Sequence, residues 1–151
     1  MPAIMTGVIG VLSGLTLATY NQSASQNRFF LEKQVNVADA IAQNFSVYIE
    51  NFRRIVILRR MWIAEKRDPT EDEQKVFRAA VDMRNIARDR LFSALDASSI
   101  YFDDTLSKLA NNFREWDETQ AVKTIEQLPE ISEWQRRRVD IVTSIRGQLP
   151  R

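Results

Sequence analysis

The chain has neither cysteine nor histidine. Without cysteine there is no disulfide framework, no thiolate nucleophile and no cysteine-based zinc site. Without histidine the commonest general base and the commonest metal ligand are missing. Ser-His-Asp and Cys-His catalysis, HExxH zinc sites and ferritin-like carboxylate–histidine sites are thereby excluded. Glycine and proline number four each, far fewer than an all-β or loop-rich fold uses. Strong charge of one sign is absent too. Lys and Arg number 21 against 20 Asp and Glu, a net charge of +1, which makes no strong field for nucleic acid or anionic lipid. What remains in 151 residues is a helical protein of one domain's size with little catalytic equipment. We expect no enzyme activity, no cofactor and no metal.

The glycines are unevenly placed. Gly7, Gly10 and Gly14 share one segment, and only Gly147 lies elsewhere. From Pro2 to Thr19 no side chain is charged. As a helix this stretch spans roughly 26 Å, slightly short of a ~30 Å hydrocarbon core. Tyr20 follows at the interface, where aromatic rings are favoured. No basic residue precedes the apolar run, which argues against a cleaved signal peptide. The expectation is a single-pass transmembrane anchor over residues 1–20. Arg28, Lys33, Arg53, Arg54, Arg59 and Arg60 all follow it, so the positive-inside rule puts the C-terminal body in the cytoplasm. Within the span Thr6, Gly10, Gly14 and Ala18 recur every four residues, a GxxxG pattern with small residues on both sides. Such a stripe lets helix backbones approach closely in lipid. The partners expected from it are a second copy or other membrane proteins, with the bilayer itself around them.

Residues 21–151 read as helices throughout. From Arg28 to Arg67 there is no glycine or proline. Leu31, Val35, Ala38, Ile41, Phe45, Tyr48, Phe52, Ile55 and Trp62 follow the spacing of one amphipathic helix, with Arg59 as an exception. Asp68-Pro69 ends that helix, because the residue before proline avoids the α region. Thr70 with Glu73 is a capping-box pattern, and Glu71, Asp72 and Glu73 suit a helix N-terminus. The next stripe runs through Phe77, Ala80, Ala87, Leu91, Leu95, Phe102, Leu109, Phe113 and Trp116. It is either one helix to about Trp116 or two, broken near Asp96–Ser99 with Ser98 as a cap. A shorter helix is expected over Glu118–Gln127. Pro129 ends it, and a last helix runs over Glu130–Arg146, closed by Gly147 and Pro150. The fold class is all-α: an anchor followed by an elongated antiparallel helical hairpin, or a three- to four-helix bundle, with its turn near 68–70.

Chemistry-bearing clusters are few. Arg53, Arg60 and Arg67 share a helix face at seven-residue spacing, with Trp62 nearby, and could take phosphate, an acidic partner or headgroups. The plainer reading is a solvated face that pairs with Glu71, Asp72, Glu73, Asp82 and Asp89 across the turn. A straight helix carries this patch roughly 50 Å from the bilayer, which argues against a lipid role. Arg136–Arg138 form an exposed run, with Glu133 one turn before Arg137. Glu115 with Glu118 and Glu130 with Glu133 are ExxE pairs of the kind that hold magnesium in all-α pyrophosphohydrolases. Pro129 separates them onto different helices, and neither has an acidic partner helix. Asp103-Asp104 reads as solvated surface. Ile55–Leu58 are apolar on nearly all sides and require cover from the C-terminal helices or a partner.

These readings converge on a non-enzymatic, membrane-anchored helical scaffold or accessory subunit acting through helix–helix association. The alternative is a membrane-perturbing or channel-forming effector with a helical sensor body. Its span has Thr6, Ser13 and Thr16 but no ionisable residue to line an ion path. A third, an extracytoplasmic four-helix sensor domain, requires the opposite orientation.

Overall fold

A computed structural model describes residues 3–150, with side chains from residue 22 onward. The described residues form helices α1 (Ala3–Glu65), α2 (Glu71–Tyr101), α3 (Asp104–Ala121) and α4 (Ile131–Gln148), with a 3-10 turn at Ile125–Gln127. The protein is all-α, as its composition and periodicity predict. The chain divides into two compact units, Met1–Lys33 and Gln34–Arg151. The second begins thirteen residues later than the body expected from residue 21. Among the described residues no helix is long and apolar enough to cross a membrane. The expected span over 1–20, with Thr6, Gly10, Gly14 and Ala18, lies outside the residues whose side chains are described.

The second unit is an antiparallel four-helix bundle. Gln34 on α1 donates to the Tyr101 carbonyl (2.7 Å) at one end. Trp62 packs on Phe77 of α2, ring centroids 5.3 Å apart, at the other. Those two contacts make α1 and α2 antiparallel. The α2–α3 pair is tied by Arg88 to Asp117 (2.7 Å), and α3–α4 by Trp116 on Trp134 (4.7 Å). At the far end of that last pair, Gln148 reaches Asp103 (2.8 Å). The core is aromatic and crosses all the layers. Phe45 meets Phe113 at 4.8 Å and Phe52 meets Trp134 at 4.7 Å. Ile41, Leu91, Leu106 and Ile141 fill the space around them.

The α1–α2 turn forms as its sequence predicts. Thr70 accepts from the Glu73 amide, and the Glu73 carboxylate accepts from the Thr70 amide (2.8 Å), a complete capping box. α1 stops at Glu65, and Lys66 turns the chain with φ at 50°.

Four expected boundaries move. The break in the second long stripe falls at Phe102-Asp103 rather than at Asp96–Ser99. Ser98 is buried within α2, and its hydroxyl donates to the Leu95 carbonyl (2.6 Å), so it does not cap. Asp103 caps instead, its carboxylate accepting from the Leu106 amide (3.1 Å). It is thus a structural residue and not merely solvated surface. α3 runs unbroken to Ala121, and only Ile125–Gln127 turns beyond it, in place of a helix over Glu118–Gln127. β-branched Val122, Thr124 and Ile125 are weak helix formers. Finally, Gly147 has no positive φ and sits inside α4, which reaches Gln148. Pro150 sets the stop by holding Leu149 in extended backbone.

Candidate functional site

Asp117 lies on the buried face of α3, in register with Leu106, Ala110 and Phe113, and is 2% exposed. A carboxylate this deep is tolerated only when paired and fully hydrogen-bonded. Both conditions are met, each from a different helix. Arg88 of α2 donates its Nε to Oδ2 at 2.7 Å. The Tyr48 hydroxyl of α1 and the Trp134 indole of α4, the latter at 3.1 Å, both donate to Oδ1. One acid therefore joins four helices. Burial, and then the negative charge of Asp117, push the Tyr48 hydroxyl pKa well above its ordinary value. Burial works against the charge on Arg88, but the hydrogen bond and charge of Asp117 outweigh it and raise its pKa.

Arg84 sits one turn before Arg88. Its guanidinium lies over the rings of Tyr48 and Phe52, 5.5 Å from each centroid. One terminal nitrogen donates to Asn85 (2.9 Å), while the Nε is buried without a hydrogen-bond partner. Beside it opens a cleft of about 180 Å³, bounded by all four helices and the α3–α4 connector. Its polar lining comes from Arg84, Asp117, Gln120 and Lys123, its aromatic lining from Tyr48, Phe52 and Trp134. Aliphatic cover comes from Ile55, Val81, Ile125 and Leu128. Lys123 donates to Gln120 Oε1 at 2.8 Å. Among the described residues neither Arg84 nor Lys123 has a carboxylate within ion-pair distance.

The basic face singled out from sequence is divided among separate partners. Arg53 pairs with Glu50 (3.8 Å) and Arg60 with Glu130 of the connector (3.6 Å). Arg67 grips Glu73 with two nitrogens at 2.7 Å each and also pairs with Glu65. Trp62 is buried against Phe77 rather than displayed beside the arginines. Of the acids expected opposite this face, Glu73 alone pairs with one of the three. Arg136 pairs with Glu133 (2.9 Å), while Arg137 packs on Trp116, 4.0 Å from the ring centroid. Burial, then the neighbouring Arg136, lower the Arg137 pKa. Glu115 and Glu118 are exposed. Among the described residues no group of three acidic side chains could hold a metal ion.

Sequence reasoning passed over Asp117, Tyr48, Arg84 and Arg88 as a group. A signal was present: Asp117 falls four residues after Phe113 and eleven after Leu106, on an otherwise apolar stripe. Arg84 and Arg88 alternate with Ala80, Ala87 and Leu91 in the same way. Polar residues on a core stripe mark a buried network. No protein-family model matches the chain, and comparison with curated proteins and with solved structures yields no match.

Proposed function

We propose that this chain is a non-enzymatic, membrane-anchored helical scaffold or accessory subunit that acts by helix–helix association. The observation that carries the reading is a second apolar seam on α2. The inward stripe, Ala80, Ala87, Leu91 and Leu95, is consumed by the core. Val76, Ala79, Met83 and Ile86 form another row at spacings of three and four. Val76, Met83 and Ile86 are 49, 48 and 46% exposed. Scattered surface apolar residues are ordinary, but an aligned row on a helix that already has a core face suits a partner helix. The uncharged run from Pro2 to Thr19 supports the membrane anchor, and its stripe Thr6, Gly10, Gly14 and Ala18 supports association within the bilayer. The basic residues that follow support a cytoplasmic body.

The test is the mass and composition of the tagged full chain in mild detergent. It is run beside a Gly10→Leu, Gly14→Leu variant and a Met83→Glu, Ile86→Glu variant. The expected result is a defined oligomer or complex that each double variant weakens. The α2 variant should keep its folding stability to within about 0.5 kcal/mol per site, because both side chains are at the surface. A monomer in all three samples overturns the proposal.

A further inference from the structure

We infer that the cleft beside the α3–α4 connector is a binding site for a small aromatic monocarboxylate. The inference is independent of membrane anchoring and of oligomeric state. Charge comes first. Arg84 and Lys123 line the cleft without a carboxylate partner, while the one lining acid, Asp117, is neutralised by Arg88 at 2.7 Å. The local balance is therefore cationic, in a chain whose overall charge is close to zero.

Geometry narrows the class. The Arg84 guanidinium carbon lies 5.5 Å from the ring centroids of both Tyr48 and Phe52, and the side chain is half-buried, so part of its freedom is already lost before an anion arrives. One terminal nitrogen of the guanidinium is taken by Asn85, which leaves the N–H groups of the other to donate to a carboxylate oxygen. Its buried Nε has no acceptor, and buried donors ordinarily have one. Lys123 is exposed and its ammonium already donates to Gln120. It adds attraction through water rather than a second tight anchor, which favours a single negative charge over a phosphate dianion.

The walls specify the rest of the ligand. Tyr48, Phe52 and Trp134 line the cleft with aromatic carbon, a surface that favours an apolar ring. An apolar cavity of about 150 Å³ holds benzene. The volume here, about 180 Å³, is of the size that takes one ring with a carboxylate.

Saturation-transfer NMR on the full chain in mild detergent tests this, with benzoate as the probe and benzamide as its neutral isostere. Benzoate should bind saturably, and benzamide about tenfold more weakly or not at all, as loss of a charge-assisted hydrogen bond dictates. Arg84→Gln should remove that preference. Lys123→Gln should weaken benzoate by about threefold, the scale of an exposed charge. Arg90→Gln, exposed on α2 and outside the cleft lining, should change nothing. Equal binding of the two probes, no saturation by benzoate, or full benzoate preference in a folded Arg84→Gln protein each overturns the assignment. If Arg84→Gln fails to fold, the benzoate–benzamide comparison and Lys123→Gln still decide.

Discussion

Asp117 accepts from Tyr48, Trp134 and Arg88, and each partner comes from a different helix. Asp117→Asn keeps the shape and one acceptor but leaves Arg88 without its counter-ion. Breaking a buried ion pair costs about 3–5 kcal/mol. Arg88 keeps 22% of its side chain exposed, so the expected loss is about 3 kcal/mol, the low end of that range. Tyr48→Phe leaves Asp117 two of its three donors and should cost about 1–2 kcal/mol. Urea denaturation monitored by circular dichroism measures both, and a larger loss for Tyr48→Phe would contradict the ordering. At this scale the sequence is readable where a residue's type agrees with its position. Ile41, Phe45, Tyr48, Phe52, Leu91, Leu95 and Phe113 were expected in the core and are buried there. It misleads where type and position disagree. Asp117, between Trp116 and Glu118, has the composition of surface and the register of core.

Helix boundaries follow hydrogen-bond partners more than propensity. The start of α2 is legible because both halves of the capping box lie within four residues. The end of α2 is not. Ser98 and Ser99 resemble a break, yet their hydroxyls return to the Leu95 and Asp96 carbonyls inside the helix. The α2 N-terminus also carries a pH dependence. Arg67, and then the Thr70 amide, lower the Glu73 pKa from 4.5 to about 2. A carboxylate whose folded-state pKa is depressed adds stability above its unfolded pKa and loses it as pH falls through the folded value. That contribution is therefore complete above about pH 5 and declines towards pH 2. Glu73→Gln should flatten the fall in the urea midpoint across that interval. An unchanged slope would mean that the Arg67–Glu73 pair, exposed as it is, contributes nothing to it.

For the molecule as a whole, the sequence made the helical class and the reversal near 68–70 readable. It did not make readable which helix contacts which. The choice between a hairpin and a four-helix bundle depends on contacts between residues far apart in the chain, such as Phe52 with Trp134. Those contacts make α4 integral to the bundle. A chain ending at Leu128 loses Trp134, Ile141 and Ile145 from the core and removes one donor from Asp117. It should keep most of its far-ultraviolet helical signal, lose near-ultraviolet aromatic signal and bind anilinonaphthalene sulfonate, the signature of a compact state without fixed packing. A sharp cooperative urea transition in that shortened chain would show instead that α1–α3 form a stable core alone.

The order of the helices also bears on how the bundle assembles. From residue 34 onward each helix packs on the one that follows it. The α2–α3 connection is only Phe102-Asp103, and the α3–α4 connector runs over 122–130. Closing such short loops carries a small entropic cost. Helical bundles are rich in local contacts and fold in about microseconds to milliseconds. As the chain emerges during synthesis, α1 and α2 can pair before α3 exists. Asp117 finds its last donor, Trp134, only when α4 arrives. The polar junction around Asp117 thus cannot be complete until all four helices are present.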